Sequence, residues 1–400
     1  MEDKLSGTIV FFDTYESWLD LLPLTFTRPE CKLRVGITTI LDKWSEYATK
    51  VAYQVAPYIQ SAHGLPVADC DDDSLYIAGN VLPTDELIDA LASLPEDTRL
   101  CSANKMIAYR GTCSGWLNRE NSNVLEFPDD KLERIDYLYD QFLKNSEWIA
   151  KDFERLTRGR RGTGQLIGCH IIGDGSQLFL DEGAEAIGAT FNLREGPIWI
   201  GPGAKVMEGA SLRGPIAIGE HSTVNMGTKI YPGTTLGPWC KVGGELNNVV
   251  FQGYSNKAHD GFLGNAVIGK WCNIGAGCSA SNLKNDYSQV KLWNYREKKF
   301  RKTGLQFCGL IMGDHTKAGI NTMFNTGTVV GVGCNIHGSG FPRNFIPSFS
   351  DGGASGFEDV SLPQFFQTAS RVMARRGKEL TKVDEILFNH IFEFAKALKN

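Results

Sequence analysis

Aliphatic residues recur at every sixth position through the middle of this chain. The unbroken run consists of Ile200, Val206, Leu212, Ile218, Val224, Ile230, Leu236 and Val242. An amphipathic helix places apolar residues three or four apart and a half-buried strand places them two apart, so neither element explains the pattern. A period of six predicts a parallel β-solenoid, in which each repeat supplies one short strand and one turn, and the aliphatic residue points into the coil.

The register is broken twice and resumes each time. Later blocks run through Ile268, Ile274 and Ala280, and then through Met312, Ala318, Phe324, Val330 and Ile336. Val242 and Ile268 are 26 residues apart and Ala280 and Met312 are 32 apart, and neither distance is a multiple of six. We therefore expect the chain to leave the coil at 243–267 and at 281–311. Extra chain on a rigid repeat scaffold commonly carries the functional residues, so both segments are candidate sites.

The solenoid accounts for about 165–345 and leaves a segment on each side. Residues 1–155 are predicted to form an α/β domain, with buried strands at 8–12 and 74–78 and helical stretches near 84–92 and 132–156. Residues 357–400 are predicted to form a helical tail, with one helix beginning after Ser361 and a second beginning at a capping box of Thr381 and Asp384. Such a tail has an apolar face that needs a partner surface, either the end of the solenoid or a neighbouring subunit.

Composition excludes several classes of protein. The 41 basic and 46 acidic residues give a net charge of −5, which argues against a nucleic-acid-binding surface. No leading segment resembles a signal peptide, and no apolar run reaches the ~20 residues that span a bilayer. We expect a cytoplasmic protein with no membrane partner. The ten cysteines are scattered without a Cys-x-x-Cys pair, which predicts reduced packing residues rather than disulfides or zinc ligands.

His259 is the first candidate for a catalytic residue. It lies in the first break of the register, in Ser255-Asn-Lys-Ala-His-Asp-Gly-Phe262. Neutral imidazole accepts a proton near physiological pH, and a loop against a stiff β-face holds it in place. A lone histidine is more often structural, and its position alone leaves that alternative open. His315 is a second candidate base, although its place in a regular repeat favours a packing role.

The segment from Ala258 to Gly269, with Asn273-Ile-Gly-Ala-Gly277 and Ser281-Asn282, resembles the acetyltransferase half of the bifunctional UDP-N-acetylglucosamine diphosphorylase/glucosamine-1-phosphate N-acetyltransferases. The resemblance implies a homotrimer of left-handed β-helices with acetyl-CoA bound between subunits. It also implies that His259 is the base that deprotonates the amine of glucosamine 1-phosphate.

Other site residues follow from the same resemblance. Phe262 and Asn273 correspond to sugar-binding positions, and Ala276 and Asn282 correspond to positions along the acetyl-CoA groove. Where the family has an arginine and a lysine that bind the phosphate, this chain has Tyr231 and Asn247. The resemblance therefore requires another cation at the phosphate, and the candidates are Lys229, Lys257 and Lys284.

The second break carries a run of basic residues among aromatic ones. The basic residues are Lys291, Arg296, Lys298, Lys299, Arg301 and Lys302. A run of this kind is either a solvated loop or a segment that binds the phosphates of coenzyme A or of the sugar, and the sequence does not distinguish the two.

The amino-terminal segment resembles sugar-phosphate nucleotidyltransferases in Pro23-Leu-Thr25, Arg28-Pro29, Leu33-Arg34-Val-Gly-Ile and Ala78-Gly-Asn80-Val. It departs from them at Phe11-Phe-Asp-Thr-Tyr15, which replaces the Gly-rich loop that holds the triphosphate. The resemblance implies nucleotide binding by Arg28, Lys32, Arg34 and Asn80. It aligns Asn80 with the magnesium ligand of the family, and Asp85 is close enough in sequence to bind Mg2+ in its place.

Three functional hypotheses remain open at this stage. The first is a bifunctional enzyme of sugar-nucleotide synthesis, with acetyl transfer in the solenoid and nucleotidyl transfer (from UTP to a sugar 1-phosphate) in the amino-terminal domain. The second is a transferase with one activity, either a hexose-1-phosphate nucleotidyltransferase, for example for glucose 1-phosphate, or an acyltransferase for another sugar. The third is a non-catalytic assembly module, because a fold alone does not dictate function.

Overall fold

The structure is a computed structural model that describes residue 5, residues 7–67 and residues 73–399. The described chain divides into two compact units. The first contains Met1–Leu21, Thr27–Leu33 and Thr39–Tyr137, and the second contains Leu22–Phe26, Arg34–Thr38 and Leu138–Asn400. The expected domain ends at Met1 and Asn400 lie outside the described residues.

A six-stranded mixed sheet forms the centre of the first unit. Its strands are β1 (Thr8–Phe12), β2 (Lys50–Gln54), β3 (Ser74–Ala78), β4 (Thr98–Ser102), β5 (Lys105–Gly111) and β6 (Asn123–Glu126), in the order β2-β1-β3-β5-β4-β6. Strand β1 is parallel to β2 and to β3, while β5 is antiparallel to both of its neighbours. Every residue of β1 and β3 is buried, as their apolar sequences predict.

Five helices accompany this sheet. They are α1 (Tyr15–Asp20), α2 (Ile40–Trp44), α3 (Pro57–Ala62), α4 (Asp85–Ala92) and α5 (Cys113–Leu117). Because β1 lies between β2 and β3, the chain reverses its direction across the sheet at β1. In sheets of this type, the crevice at the carboxyl ends of the strands beside such a switch point is where ligands bind.

The second unit contains the predicted parallel β-solenoid, which is confirmed. It has three faces, which we call A, B and C in the order in which the chain enters them. Face A is formed by Gln165–Ile167, Glu185–Ile187, Lys205–Val206, Thr223–Val224, Lys241–Val242, Asn256–Lys257, Asn273–Ile274, Lys317–Ala318, Asn335–Ile336 and Ser350–Gly353. Face B is formed by His170–Ile172, Thr190–Asn192, Ser211–Arg213, Lys229–Ile230, Ser279–Ala280, Met323–Phe324 and the first parts of Glu245–Gly253 and Phe262–Lys270. Face C is formed by Leu178–Leu180, Ile198–Ile200, Ile216–Ile218, Thr234–Leu236, Ile311–Met312, Val329–Val330, Phe345–Ile346 and the second parts of the same two long strands.

The predicted aliphatic register forms the core of the solenoid. The eight residues from Ile200 to Val242 are all at most 2% exposed and belong to one continuous apolar cluster. The two later blocks join the same cluster, and none of their residues exceeds 3% exposure. Burial of these inward side chains stabilises a fold in which most strands are only two or three residues long.

The expectation that 243–267 leaves the coil is wrong. The strand Glu245–Gly253 pairs with Lys229–Ile230 at one end and with Thr234–Leu236 at the other, so it runs along face B and bends into face C. The strand Phe262–Lys270 pairs with it along the same bend. The bends lie at Asn248 and Asn265, whose φ angles are +56° and +44°. Each bent strand replaces two short strands and a turn, which shortens the coil and shifts the six-residue register without interrupting the solenoid.

The segment 281–311 does leave the coil, as predicted. It forms an antiparallel hairpin of Lys291–Asn294 and Lys299–Lys302. Trp293 of the hairpin stacks on Phe345 of face C, with ring centroids 4.3 Å apart. Lys299 and Arg301 both form ion pairs with Glu297. The aromatic stack therefore ties the hairpin to face C, and the ion pairs stabilise its turn.

Three helices complete the second unit, namely α6 (Asp140–Thr157), α7 (Leu362–Ala374) and α8 (Lys382–Lys399). Helix α6, which was expected near 132–156, packs on the solenoid, and Asn145 donates hydrogen bonds to the Gly233 carbonyl (2.7 Å) and to Thr235 Oγ1 (2.9 Å). Asn145 also accepts the N–H of Gly36 (2.7 Å), which places the segment Arg34–Thr38 in this unit.

The carboxyl-terminal helices pack along the corner between faces C and A, where they meet the rings of His315 and Phe349. The predicted capping box of α8 is present, with Thr381 and Asp384 bonded to each other's backbone N–H, whereas Ser361 makes no side-chain cap for α7. Phe365 of α7 and Phe388 of α8 pack on each other at 5.0 Å and on the ring of His315. His315 therefore has the packing role that its place in a regular repeat favours.

Two further properties bear on the class of protein. No helix among the described residues is both long enough and apolar enough to cross a membrane. The nine described cysteines are all free, and seven of them are buried, while Cys113 and Cys169 are half-buried. Cys70 lies outside the described residues.

Candidate functional site

The exposed imidazole of His259 lies at the corner between face A and face B. Ala258, His259, Asp260 and Gly261 form this corner and connect the strand Asn256–Lys257 to the strand Phe262–Lys270. Hydrogen bonds hold its backbone from three directions. Asn225 donates to the Ala258 carbonyl (2.8 Å), the Lys257 ammonium donates to the His259 carbonyl (2.6 Å), and the Asp260 carbonyl accepts the N–H of Gly277 (2.9 Å). The backbone is thus fixed while the side chain stays accessible, which suits a general base.

The corner of the preceding coil has no side chains. It consists of Gly243 and Gly244, and a Cβ added to Gly243 would lie 2.4 Å from the Ala258 carbonyl oxygen. Only glycine allows the two corners to approach this closely. As a result, the corner that precedes the His259 corner presents backbone rather than side chains.

Lys257 occupies an interior position of the solenoid. It pairs in register with Val242, its side chain is fully buried, and its ammonium donates to the carbonyls of Gly243 (3.3 Å) and His259 (2.6 Å). Burial lowers the pKa of this ammonium. The side chain therefore has no access to a bound sugar phosphate, and it supports the His259 corner from inside.

Three other predicted residues lie around the same corner. Ala276 is at the equivalent corner of the next coil, and Phe262 is the first residue of the face B strand that follows His259. Asn273 is exposed on face A, beside Asn256 of the preceding strand. These residues come from consecutive coils, and the parallel pairing brings them together.

Asn282 and Lys284 lie beyond the next corner, between faces B and C. Asn282 donates to the side chain of Asn265 (2.7 Å), which is one of the two bend residues. Lys284 donates to the Gln289 carbonyl (3.0 Å) at the base of the hairpin segment. Within one chain, these two residues are not part of the His259 corner.

The residues predicted to bind nucleotide are separated between the two units. In the first unit, Arg28 is buried, Lys32 is half-buried with a pKa lowered by burial, and Asn80 is buried with its amide donating to the Ile135 carbonyl (3.0 Å). Arg34 belongs to the second unit, where its N–H donates to Gln252 and its guanidinium donates to the Ile37 carbonyl. Asp85 is exposed in the first turn of α4.

Asn80 and Asp85 do not fit a Mg2+ site. The amide of Asn80 is engaged with backbone, and Asp85 would offer a hard cation a single exposed carboxylate, whereas Mg2+ sites use one or two carboxylates together with phosphates and waters in octahedral geometry. Among the residues that the structure describes, His, Cys, Asp and Glu side chains nowhere group in threes as metal ligands.

A pair of carboxyl groups that the sequence did not single out lies at the switch point of the first unit. Asp13 follows β1 directly, and the N–H of Glu30 donates to its carboxylate at 3.2 Å. Ser17 donates to Glu30 Oε1 (2.6 Å), while Glu30 Oε2 is buried and has no hydrogen-bond partner among the described residues. Gly79, which follows β3, allows the close approach, because a Cβ there would lie 2.6 Å from Asp13 Oδ1.

Burial controls the ionisation of this pair. It raises the pKa of Asp13 to about 7, and burial together with the charge of Asp13 raises the pKa of Glu30 well above its ordinary value. Both carboxyl groups therefore keep their protons to a higher pH than exposed carboxyl groups do. The available signal was Asp13 itself, since it stands where the related enzymes have a Gly-rich loop, but Glu30 lies 17 positions further along the chain.

The chain is similar to known proteins over part of its length. Residues 9–161 match the family model described as sugar nucleotidyl transferase. The chain is 37% identical over 81 residues to the bifunctional protein GlmU of Methanocaldococcus jannaschii, a match that covers 20% of this chain and 19% of that protein. It is 34% identical over 136 residues to the bifunctional protein GlmU of Corynebacterium glutamicum, which covers 34% of this chain and 24% of that protein.

Among solved structures, the polySia-specific acetyltransferase NeuO aligns with 55% of this chain and 97% of its own, at 11% identity and a TM-score of 0.28. The matches to the two GlmU proteins span about a fifth to a quarter of the length of those relatives. The chain is thus similar over part of its length to bifunctional GlmU proteins, and its residues 9–161, which match the sugar nucleotidyl transferase model, precede a β-solenoid.

Proposed function

We propose that the solenoid catalyses transfer of an acetyl group from acetyl-CoA to the amine of an amino-sugar phosphate, with glucosamine 1-phosphate as the first candidate acceptor. The observation that carries the proposal is the accessible imidazole of His259 on a corner whose backbone is fixed by Asn225, Lys257 and Gly277. The relationship to bifunctional GlmU proteins supports the same reaction class.

In the proposed reaction, His259 accepts a proton from the ammonium of the sugar. The free amine then attacks the thioester carbonyl, the carbon–sulfur bond breaks, and the leaving thiolate takes the proton from the imidazolium as free thiol. The new amide nitrogen then loses its extra proton to neutral His259, which passes it to water. The N–H of Ala276 donates to no acceptor among the described residues, so it is available to the oxyanion that forms during the attack. Phe262 and Asn273 border the place of the acceptor on faces B and A.

Substitution of His259 tests this proposal. Removal of a positioned base typically costs about 10²- to 10⁴-fold in rate, so His259→Ala should lose acetyl transfer and keep the fold. Release of free thiol from acetyl-CoA in the presence of glucosamine 1-phosphate and other amino sugars measures the reaction. His170→Ala is the matched control, because His170 is an exposed histidine on the first coil of face B. Near-wild-type turnover by the His259 variant would refute the assignment.

We further propose that the first unit transfers a nucleotidyl group from UTP or dTTP to a sugar 1-phosphate. The match of residues 9–161 to the sugar nucleotidyl transferase model favours this second activity. The Asp13–Glu30 pair lies where the switch point of the sheet favours a ligand. Pyrophosphate release with each nucleotide measures the activity. We expect Asp13→Asn to lower it strongly and Asp85→Asn to leave it intact, and the reverse order would show that Asp85 is the functional carboxylate.

A homotrimer would place the His259 corner of one subunit against its neighbour. In support, the same corner carries two exposed apolar side chains, Met226 two coils before His259 and Ile320 two coils after it, which are 70% and 73% exposed. Apolar side chains exposed in this way are typical of contact surfaces. Light scattering on the purified protein should give three times the chain mass of 44.1 kDa, and a monomer mass would reject the trimer.

A further inference from the structure

A pocket of 330 Å³ lies between face A of the solenoid and the end of α7. Asn256 and Asn273 line it from adjacent strands of face A, and Tyr254 and Trp271 line it from the corner before these strands. Arg375 and Arg376 line it from α7 and the residues that follow. His259 does not line this pocket. The volume of the pocket is at the lower end of the range of about 300–1,000 Å³ for ligand sites, which suits a small molecule.

The charge of the pocket is positive. Lys317, Arg375 and Arg376 line it, and no aspartate or glutamate is among its lining residues. The Lys317 ammonium donates to the carbonyls of Trp271 and His315, both at 2.8 Å, and is thus already engaged. The two arginines are in no ion pair with any residue that the structure describes. They are therefore the groups that would attract an anion.

The guanidinium of Arg376 has an unused donor. One of its terminal nitrogens donates to the side chain of Asn256 (3.2 Å), whereas its Nε is buried and has no acceptor within the described part of the chain. A buried donor without an acceptor costs about 1–3 kcal/mol, so such groups usually mark an unseen ion or ligand. An anion in the pocket would supply the acceptor.

A simpler role for the arginines would be to stabilise the carboxyl end of α7, where cations are favourable. Arg371 and Arg375 fit that role. Arg376 does not, because its side chain reaches across to Asn256 on the solenoid, 120 positions earlier in the chain. A guanidinium held in this way lines the pocket with its remaining N–H groups. Two N–H groups of one guanidinium can donate to two oxygens of the same phosphate.

The rest of the pocket suits the organic part of a phosphorylated molecule. Tyr254 and Trp271 stack on each other at 4.3 Å, and Trp271 also lies against His315, so the Trp271 ring is held in place beside the cavity. Asn273 adds an exposed amide that can bind hydroxyl groups. We propose that this pocket binds a small organic phosphate, with the phosphate on Arg375 and Arg376 and the organic part against Asn256 and Asn273.

Two sources share this chemistry, a sugar phosphate and a nucleoside phosphate. If the ligand is a sugar phosphate, Arg375 and Arg376 would replace the phosphate-binding cations that the chain lacks at Tyr231 and Asn247. This alternative rests on the proposed acetyl transfer. A nucleoside phosphate would make the pocket a site for coenzyme A or for a nucleotide effector. Binding of a phosphate to the two arginines does not itself depend on acetyl transfer.

Calorimetric titration of the full-length protein tests the proposal. The probes are glucosamine 1-phosphate, UMP and 3′,5′-ADP, with inorganic phosphate as the reference. We expect at least one organic probe to bind more tightly than inorganic phosphate, and which probe does so identifies the source. Arg375→Gln and Arg376→Gln should each weaken that probe about tenfold or more, because each removes a charge-assisted contact. Arg371→Gln, in the last turn of α7 and outside the pocket, should stay within about twofold of wild type.

Further variants separate binding from folding and from catalysis. Asn256→Asp keeps the size of the side chain and places a carboxylate beside Arg376, so it should abolish binding while melting like wild type. His259→Ala should bind UMP or 3′,5′-ADP normally, since it removes the proposed base of acetyl transfer and His259 does not line the pocket. The inference is overturned if no organic probe binds better than inorganic phosphate, or if both glutamine variants bind like wild type. If the wild-type protein proves to have no acetyl transfer activity, the titration result still holds, because it measures binding alone.

Discussion

Replacement of Lys257 by methionine is the sharpest test of how the solenoid supports its candidate catalytic corner. Lys257 stands at an interior position that Val242 and other aliphatic residues occupy in neighbouring coils, and its ammonium is fully buried. Methionine has a similar length, so Lys257→Met leaves no large cavity and removes only the charge and its two hydrogen bonds to the carbonyls of Gly243 and His259.

The expected change in stability follows from two opposing contributions. A hydrogen bond from a charged group stabilises by about 1.5–3 kcal/mol, while burial of an ammonium costs several kcal/mol. Replacement of a buried charge by an apolar side chain of similar volume is therefore commonly neutral or stabilising by about 1–4 kcal/mol. We expect Lys257→Met to unfold at the wild-type temperature or up to about 10 °C higher at pH 7, at about 2–4 °C for each kcal/mol.

The pH dependence gives an independent check. Burial lowers the pKa of Lys257 below its ordinary value of 10.5, so between the lowered pKa and 10.5 the unfolded chain binds more protons than the folded chain. Wild-type stability should therefore gain from this group as the pH rises through that window, and the gain is lost as the pH falls through the folded pKa. The advantage of Lys257→Met over wild type should shrink as the pH approaches 10.5.

Acetyl transfer should respond in the opposite direction to stability. Without the ammonium, the His259 carbonyl loses its 2.6 Å anchor, and small displacements of a catalytic group cost up to about 10²-fold in rate. We expect a lower kcat together with an unchanged or raised melting temperature, measured by thiol release and by scanning calorimetry. A variant that loses more than about 3 kcal/mol of stability at pH 7 would show that the ammonium is a net source of stability and would refute the reasoning.

Three further predictions concern the corner, the carboxyl pair and the core. Gly243→Ala should reduce stability and acetyl transfer together, because its Cβ would meet the Ala258 carbonyl at 2.4 Å, while Gly175→Ala, where nothing lies within 4 Å, should be neutral in both assays. Asp13→Asn should gain stability over wild type at pH 8 and little at pH 4, as measured by chemical denaturation at both pH values. Burial raises the pKa of Asp13 to about 7, so wild type loses stability as the pH rises from 3.8 through 7, and the variant does not. Phe251→Ala should cost about 3–5 kcal/mol of unfolding free energy because its ring is fully buried between coils, whereas Tyr287→Ala, 66% exposed, should change the melting curve little.

The six-residue register is the part of this fold that the amino-acid sequence by itself determines. The inward residue of each two- or three-residue strand is set by local spacing, so the faces and core of the solenoid could be read directly from Ile200 to Val242. The capping box at Thr381 and the buried strands at 8–12 and 74–78 are local in the same sense.

Only the tertiary structure decided what happens where that register shifts. A loop and a bent strand both interrupt a period of six, and the pairing of Glu245–Gly253 with two different strands is what distinguishes them. The same bend explains why Lys257 enters the core. Val224 and Val242 pair 18 residues apart, whereas the bent strand shortens the next coil, so Val242 pairs with Lys257 only 15 residues later.

Contacts between distant parts of the chain were likewise beyond local reasoning. Asp13 meets Glu30, and Arg376 meets Asn256 across 120 positions, because strands and a covering helix bring them together. Spacing along a sequence specifies which face a residue occupies, since that depends on the geometry of a few neighbouring residues. Which groups share a pocket depends on how whole coils and helices pack, and that is decided only when the complete chain has folded.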